Sequence, residues 1–175
     1  MARFTNQAQL RYGDSVANSN IAVGEILEVL SATKTAVRKV YAQDDTVTYL
    51  ISVVNSGSVP LNGLTLEDDL GMYAFATTTL TPLSYVADTI NYYVNGVLQP
   101  KPTVAAGAPL TVSGLNIPAG GNALLVYETK PTEYAPMAEE SEITNTATIS
   151  GGGITPVNVK ESIQALSEPV LTITK

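Results

Sequence analysis

Apolar residues recur along this chain with a period of two. In TVTYLISVVN (46–55), Val47, Tyr49, Ile51 and Val53 fall on one side, and Thr46, Thr48, Leu50 and Ser52 on the other. That alternation predicts a strand with at least one buried face. NSGSVPLNG (55–63) supplies turn chemistry through Asn55, Gly57, Pro60 and Gly63, and LTLEDDL (64–70) reads as the next strand. TINYYVNGVLQP (89–100) predicts a hairpin, because Asn95-Gly96 suits a tight turn of two positive-φ residues. A turn at PAGGN precedes a strand from Ala123 to about Thr129, and ITNTATIS (143–150) gives another. The glycines at 151–153 then separate it from two more β-like stretches before Pro169. AVGEILEVL (22–30) has weak helical character, but its continuation into LSATK favours strand. Short strands at regular spacing, punctuated by Gly, Pro and Asn, predict an all-β antiparallel sandwich.

The two ends of the chain repeat pieces of its middle. FTNQAQL (4–10) matches ITNTATI (143–149) in type at almost every position, and LSATK (30–34) matches LTITK (171–175). The order is therefore a spare last strand, a complete module, and a spare first strand. Three segments follow: a donor-strand-like arm at 1–28, a sandwich module at 29–152 and a C-terminal strand extension at 153–175. Phe4, Asn6, Ala8 and Leu10 are the candidate intersubunit strand; Leu171, Ile173 and Lys175 are the candidate C-terminal assembly strand. Asn6 occupies the Asn145 place in the repeat and Lys175 the Lys34 place. Non-covalent donation of the N-terminal strand is preferred to a Lys175–Asn6 bond, which would need a buried chain terminus. The alternative is an arm that only covers its own sheet edge.

At 175 residues the chain is long enough for one domain with extensions. A net charge of −7 without clustered Lys or Arg argues against nucleic acid as a partner. With no Cys there is no disulfide or thiolate metal site, and with no His the commonest general base is missing. No metal and no cofactor is expected, and no enzyme. No apolar run reaches the roughly 18 to 20 residues of a membrane helix, so no membrane insertion is expected. Neither a secretory signal nor a wall-sorting motif is encoded in the segment as read, which leaves the export route open.

ATKTAV, DDTVTYLISVVNSGSVPLNGLTLEDDLG, SYVADTINYYVNG, LNIPAGGNALLVYETKP and SEITNTATIS follow one another in an order that resembles the surface-protein repeat known as domain of unknown function 11. The resemblance covers about residues 30–150. It implies an immunoglobulin-like sandwich, similar to collagen-adhesin B-type domains, in an extracellular protein of a cell or spore surface. Clostridial spore appendages carry such repeats. This chain departs from the common tandem array in holding a single repeat.

Alternation places Lys34 beside Leu30 and Ala32, Asp68 beside Leu64 and Leu66, and Asn145 beside Ile143, Ala147 and Ile149, so all three point to the apolar side. The resemblance implies that Lys34 and Asn145, on first and last strands, are candidates for an intramolecular isopeptide crosslink assisted by Asp68. Burial lowers a lysine pKa and raises that of an aspartic acid, the protonation states the reaction needs. The alternative is that Lys34 snorkels to solvent, Asp68 caps a turn and Asn145 bonds backbone at a sheet end. Asp44-Asp45 and Glu67-Asp68-Asp69 lack the grammar of a calcium loop. Tyr92 and Tyr93 face opposite sides of a strand, which weakens a carbohydrate platform, and no nucleophile elbow is present.

The expected function is a structural subunit that self-assembles head to tail by strand exchange, its partners being copies of itself and other surface or appendage proteins. The alternative is a monomeric adhesin or carbohydrate- or protein-binding surface module.

Overall fold

The computed structural model describes residues 2–26 and 28–166; Leu171, Ile173 and Lys175 lie outside them. Among the described residues there are eighteen strands and no helix. The N-terminal part contains β1 (Ala2–Asn6), β2 (Gln9–Tyr12), β3 (Ser15–Asn18) and β4 (Ala22–Ile26). The body continues with β5 (Leu30–Ala36), β6 (Val40–Tyr41), β7 (Val47–Asn55), β8 (Leu61–Asp68), β9 (Tyr73–Phe75), β10 (Thr78–Leu80) and β11 (Leu83–Tyr85). It ends with β12 (Asn91–Val94), β13 (Val97–Leu98), β14 (Thr103–Ala105), β15 (Leu110–Ile117), β16 (Asn122–Pro131), β17 (Glu142–Ser150) and β18 (Val157–Ala165).

Two sheets face each other. The first runs β13-β12-β16-β7-β5, with β11 also on β16, and the second runs β14-β15-β8-β17-β18-β6. The core between them is built by the predicted alternation. Val47, Tyr49, Ile51 and Val53 of β7 are buried, and so are Leu64 and Leu66 of β8 and Ile143, Ala147 and Ile149 of β17. Each such aliphatic side chain contributes roughly 1.5 to 3 kcal/mol. The Asn95-Gly96 hairpin closes β12 onto β13 with φ values of 49° and 78°.

The boundary expected at residue 152 does not coincide with an edge of the sandwich. Instead of two short stretches in an extension, residues 157–165 form a single strand paired along its length with β17, and its Ile163 is fully buried. The three glycines make this return possible. Gly151, Gly152 and Gly153 all have positive φ, and a Cβ on Gly151 would lie 2.9 Å from the Gly63 carbonyl oxygen.

The N-terminal segment is a two-stranded ribbon, where a lone strand was expected. β1 pairs with β4 and β2 with β3, and Ser19 bridges the break between them through bonds to Gln7 and Ala8. The cause is the Gly13-Asp14 turn, with Gly13 at φ 56°, which sends the chain back along itself. Every residue from Phe4 to Val23 is exposed, and the buried core begins at Leu30.

Asn55 pins the turns at the ribbon end of the sandwich. Its fully buried amide donates to the carbonyls of Val59 at 2.9 Å and Pro118 at 3.0 Å and accepts from the Gly57 N–H at 3.0 Å. Asn55→Ala is expected to cost about 2–3 kcal/mol, because it strands several buried polar groups, as measured by urea unfolding.

Candidate functional site

Lys34, Asp68 and Asn145 come from different strands and all face the core. β5 is the edge strand of the first sheet and alternates so that Leu30, Lys34 and Ala36 point inward. Asp68 ends β8 in the opposite sheet. Its register partner on β17 is Ala147, so Asn145 stands two residues along on the same face. The side chains of Lys34 and Asp68 are completely buried, which rules out a snorkelling lysine in this fold. Asn145 sits on β17 and not on the last strand, since β18 follows it.

Asp68 is the centre of the polar network. One carboxylate oxygen accepts the Lys34 ammonium at 2.7 Å and also the Tyr127 hydroxyl. The other accepts the Leu70 N–H at 2.9 Å, closing a turn in which Leu70 takes φ 55°. The same carboxylate thus caps a turn and holds a buried cation. Lys34 Nζ also lies 4.9 Å from the centroid of the Tyr49 ring, a cation–π contact in a dry setting.

Tyr49 and Tyr127 are direct cross-strand partners on β7 and β16, their ring centroids 5.9 Å apart and their planes at 25°. Burial pushes the Tyr127 phenol well above its usual value, and the Asp68 charge adds to the effect. Burial likewise raises Tyr49. Tyr127 therefore remains a proton donor to Asp68. Its role was missed in the sequence, although a second inward tyrosine among Leu125 and Ala123 was the available signal. Burial lowers the pKa of Lys34, against the opposing pull of Asp68.

Asn145 differs from its neighbours. It is fully buried, yet neither its carboxamide oxygen nor its nitrogen has a hydrogen-bond partner, and the Tyr49 hydroxyl is also unpartnered. Each such group costs about 1–3 kcal/mol. An amine of lowered pKa, a carboxylate and a carboxamide, all buried in one core, are groups chemically suited to transamidation.

The other sequence candidates are dispersed. Phe4 is 58% and Leu10 70% exposed on the ribbon, which also carries Asn6 and Ala8 in exposed positions. Asp45 bonds the Ala42 N–H and pairs with Arg38, and Asp69 accepts from Gly71 and Thr146. Among the described residues no group of three or more carboxylates converges as a metal site. Tyr92 is buried and Tyr93 half-buried, as the alternation requires.

The fold is an immunoglobulin-like β-sandwich. Its architecture is similar to that of the major pilin subunit of Bacillus cereus, with a TM-score of 0.56 and 12% identity over 93% of this chain and 48% of that one. It is also similar to the N-terminal domain of a Streptococcus gordonii adhesin, with a TM-score of 0.57 and 14% identity over 87% of this chain and 36% of the other. The pilus backbone of Streptococcus pneumoniae matches with a TM-score of 0.53 and 12% identity, over 69% of this chain and 31% of its own. The chain thus spans less than half the length of each of these proteins. No protein-family model and no curated protein matches it.

In an Asn145→Ala background, where no crosslink can form, Asp68→Ala leaves the Lys34 ammonium without its counter-ion, with an expected cost of about 3–5 kcal/mol by chemical denaturation. In that background Lys34→Met costs less, because Asp68 keeps the Tyr127 and Leu70 donors. In an Asn145→Ala chain, where Lys34 keeps a free amine, its lowered folded pKa means that the unfolded chain binds the extra proton between that value and 10.5. Stability therefore rises with pH in this window. The rise ends as the tyrosines of the unfolded chain ionise near about pH 10; unfolding midpoints across pH, with Lys34→Met added as the flat control, measure it.

Proposed function

We propose that this chain is a structural subunit of a surface filament, outside the cell on a cell or spore surface, whose copies join head to tail through strand exchange. The observation that carries this reading is the ribbon. A β-ribbon with Phe4, Leu10 and Tyr12 at alternating positions of its outgoing strand, all more than half exposed, buries none of them in its own sandwich. Apolar side chains held on a formed strand face are surface for a partner. The likeness of the sandwich to pilin subunits is compatible with that role and carries the fold alone.

Within each subunit, Lys34 and Asn145 are proposed to form an isopeptide. The neutral ε-amine attacks the Asn145 carboxamide carbon, Asp68 passes a proton from the amine to the departing nitrogen, and ammonia leaves as the new C–N bond is made. Tyr127 orients Asp68 by its hydrogen bond. The unpartnered state of the Asn145 carboxamide supports this, because the step exchanges a buried primary amide for a secondary amide with one polar hydrogen fewer to satisfy. The step runs once per chain and makes a crosslink, not a turnover catalyst.

Two measurements test the two parts separately. Intact-mass spectrometry of the purified chain is expected to show the loss of one ammonia, retained in full mass by Lys34→Met, Asp68→Ala and Asn145→Ala. Electron microscopy is expected to show filaments for the full chain and monomers for a version starting at residue 28, with unchanged thermal unfolding because none of residues 4–24 is buried in the core. Monomers in both samples would favour the surface adhesin.

A further inference from the structure

The ribbon and the β17–β18 hairpin are built to one plan. Phe4 pairs with Gly24 as Ile143 pairs with Ile163, Asn6 with Ala22 as Asn145 with Glu161, and Leu10 with Ala17 as Ile149 with Val157. The plan differs at one point, an extra residue on the returning strand between Ala22 and Ser19 that makes a bulge. Gly24 leaves room for the Phe4 ring, which lies where a Cβ would stand, at 2.3 Å. The fates of the two hairpins differ. In the sandwich the face with Ile143, Asn145, Ala147 and Ile149 is at most 3% exposed, whereas on the ribbon the same face is bare.

The sandwich itself shows what lies next to such a hairpin. β5 runs beside β18, with its opening LSATK delivering Lys34 to the core. The motif recurs as LTITK at 171–175. We propose that the Phe4–Asn6–Ala8–Leu10 face of the ribbon is the seat for residues 171–175 of a second copy of this chain, laid against it as β5 lies beside β18 with Lys34 turned into the core.

The geometry requires the second copy. The ribbon joins the sandwich at the end formed by Leu30, Asn55 and the 151–154 turn, and β18 leaves at the opposite end, where Leu166 N–H bonds the Tyr41 carbonyl. A strand the length of β18 spans roughly 30 Å, and Phe4 lies at the near base of the ribbon. Residues 166–170 reach at most about 17 Å. The segment therefore meets a ribbon only across a boundary between copies. Exposed Tyr134, Met137 and Leu166 at the exit end extend the apolar contact. A contact between unlike surfaces at opposite ends is heterologous, and it propagates as an open filament unless the rotation per copy closes a ring. Asp68 stands on β8, a strand with no counterpart in the two-stranded ribbon, so the seat holds Lys175 near Asn6 without a covalent bond.

This seat rests on the filament reading, and its test separates the two. The chain has no cysteine, so full-length Ala8→Cys and Ile173→Cys copies can be mixed under mild oxidation and run on a denaturing gel. A shift to a disulfide-linked heterodimer is expected, and Thr5→Cys, on the other face of β1, should give none with Ile173→Cys. Filaments by electron microscopy without the Ala8–Ile173 product, or with Thr5 linking equally well, overturn the seat and leave the filament standing. Absence of filaments and of any linked product overturns both.

Discussion

The contact on which this sandwich depends as it folds, before any crosslink consumes the amine, is the one between the Lys34 ammonium and the Asp68 carboxylate, closed off from water between two sheets. A buried ion pair is a poor source of net stability, since desolvating both charges offsets most of their attraction. Its force lies in what happens if either partner moves. Lys34 is on the edge strand of one sheet and Asp68 in the interior of the other, so the pair sets the position of β5 against the opposite sheet. Tyr127, Tyr49 and the Leu70 turn are arranged around that requirement, each with one polar group or ring face directed at the charges.

Most of the sandwich was legible because its physics is local. Strict alternation in β7, in β17 and from Leu64 to Asp68 of β8 could be satisfied only by one buried face, and Asn95-Gly96 and the three glycines after Ser150 mark reversals that few residues tolerate. The inward placement of Lys34, Asp68 and Asn145 follows from the same parity. What parity could not give was pairing. It assigns each residue a side but no register, so it could not say that Tyr49 stands opposite Tyr127, or that Ala147 and not Asn145 is level with Asp68. The return of the ribbon was missed for a related reason. Gly13-Asp14 is a weak turn signal alone, and it decides the outcome only because strands on both sides of it can pair.

The same hairpin plan appears twice in the described chain, once embedded and once bare, and the difference between them concerns side chains more than backbone. Ile163 in the embedded copy corresponds to Gly24 in the bare one, and Glu161, which pairs with Lys39 at the surface, corresponds to Ala22. The bare copy has small residues on its returning strand where the embedded copy has larger ones. Its face is consequently shallower and dominated by Phe4, Leu10 and Tyr12 on the outgoing strand.

The direction of β5 and β18 has a mechanical meaning. β5 enters from the ribbon end and runs away from it, and β18 runs the same way and leaves at the far end. A pull applied to the ribbon and to the chain beyond Ala165 therefore acts along the axes of both strands. β5 is loaded in shear against β7 and β18 in shear against β17, so their ladders must yield together and not one rung at a time. Tension along such a chain meets the sandwich in its stiffest direction.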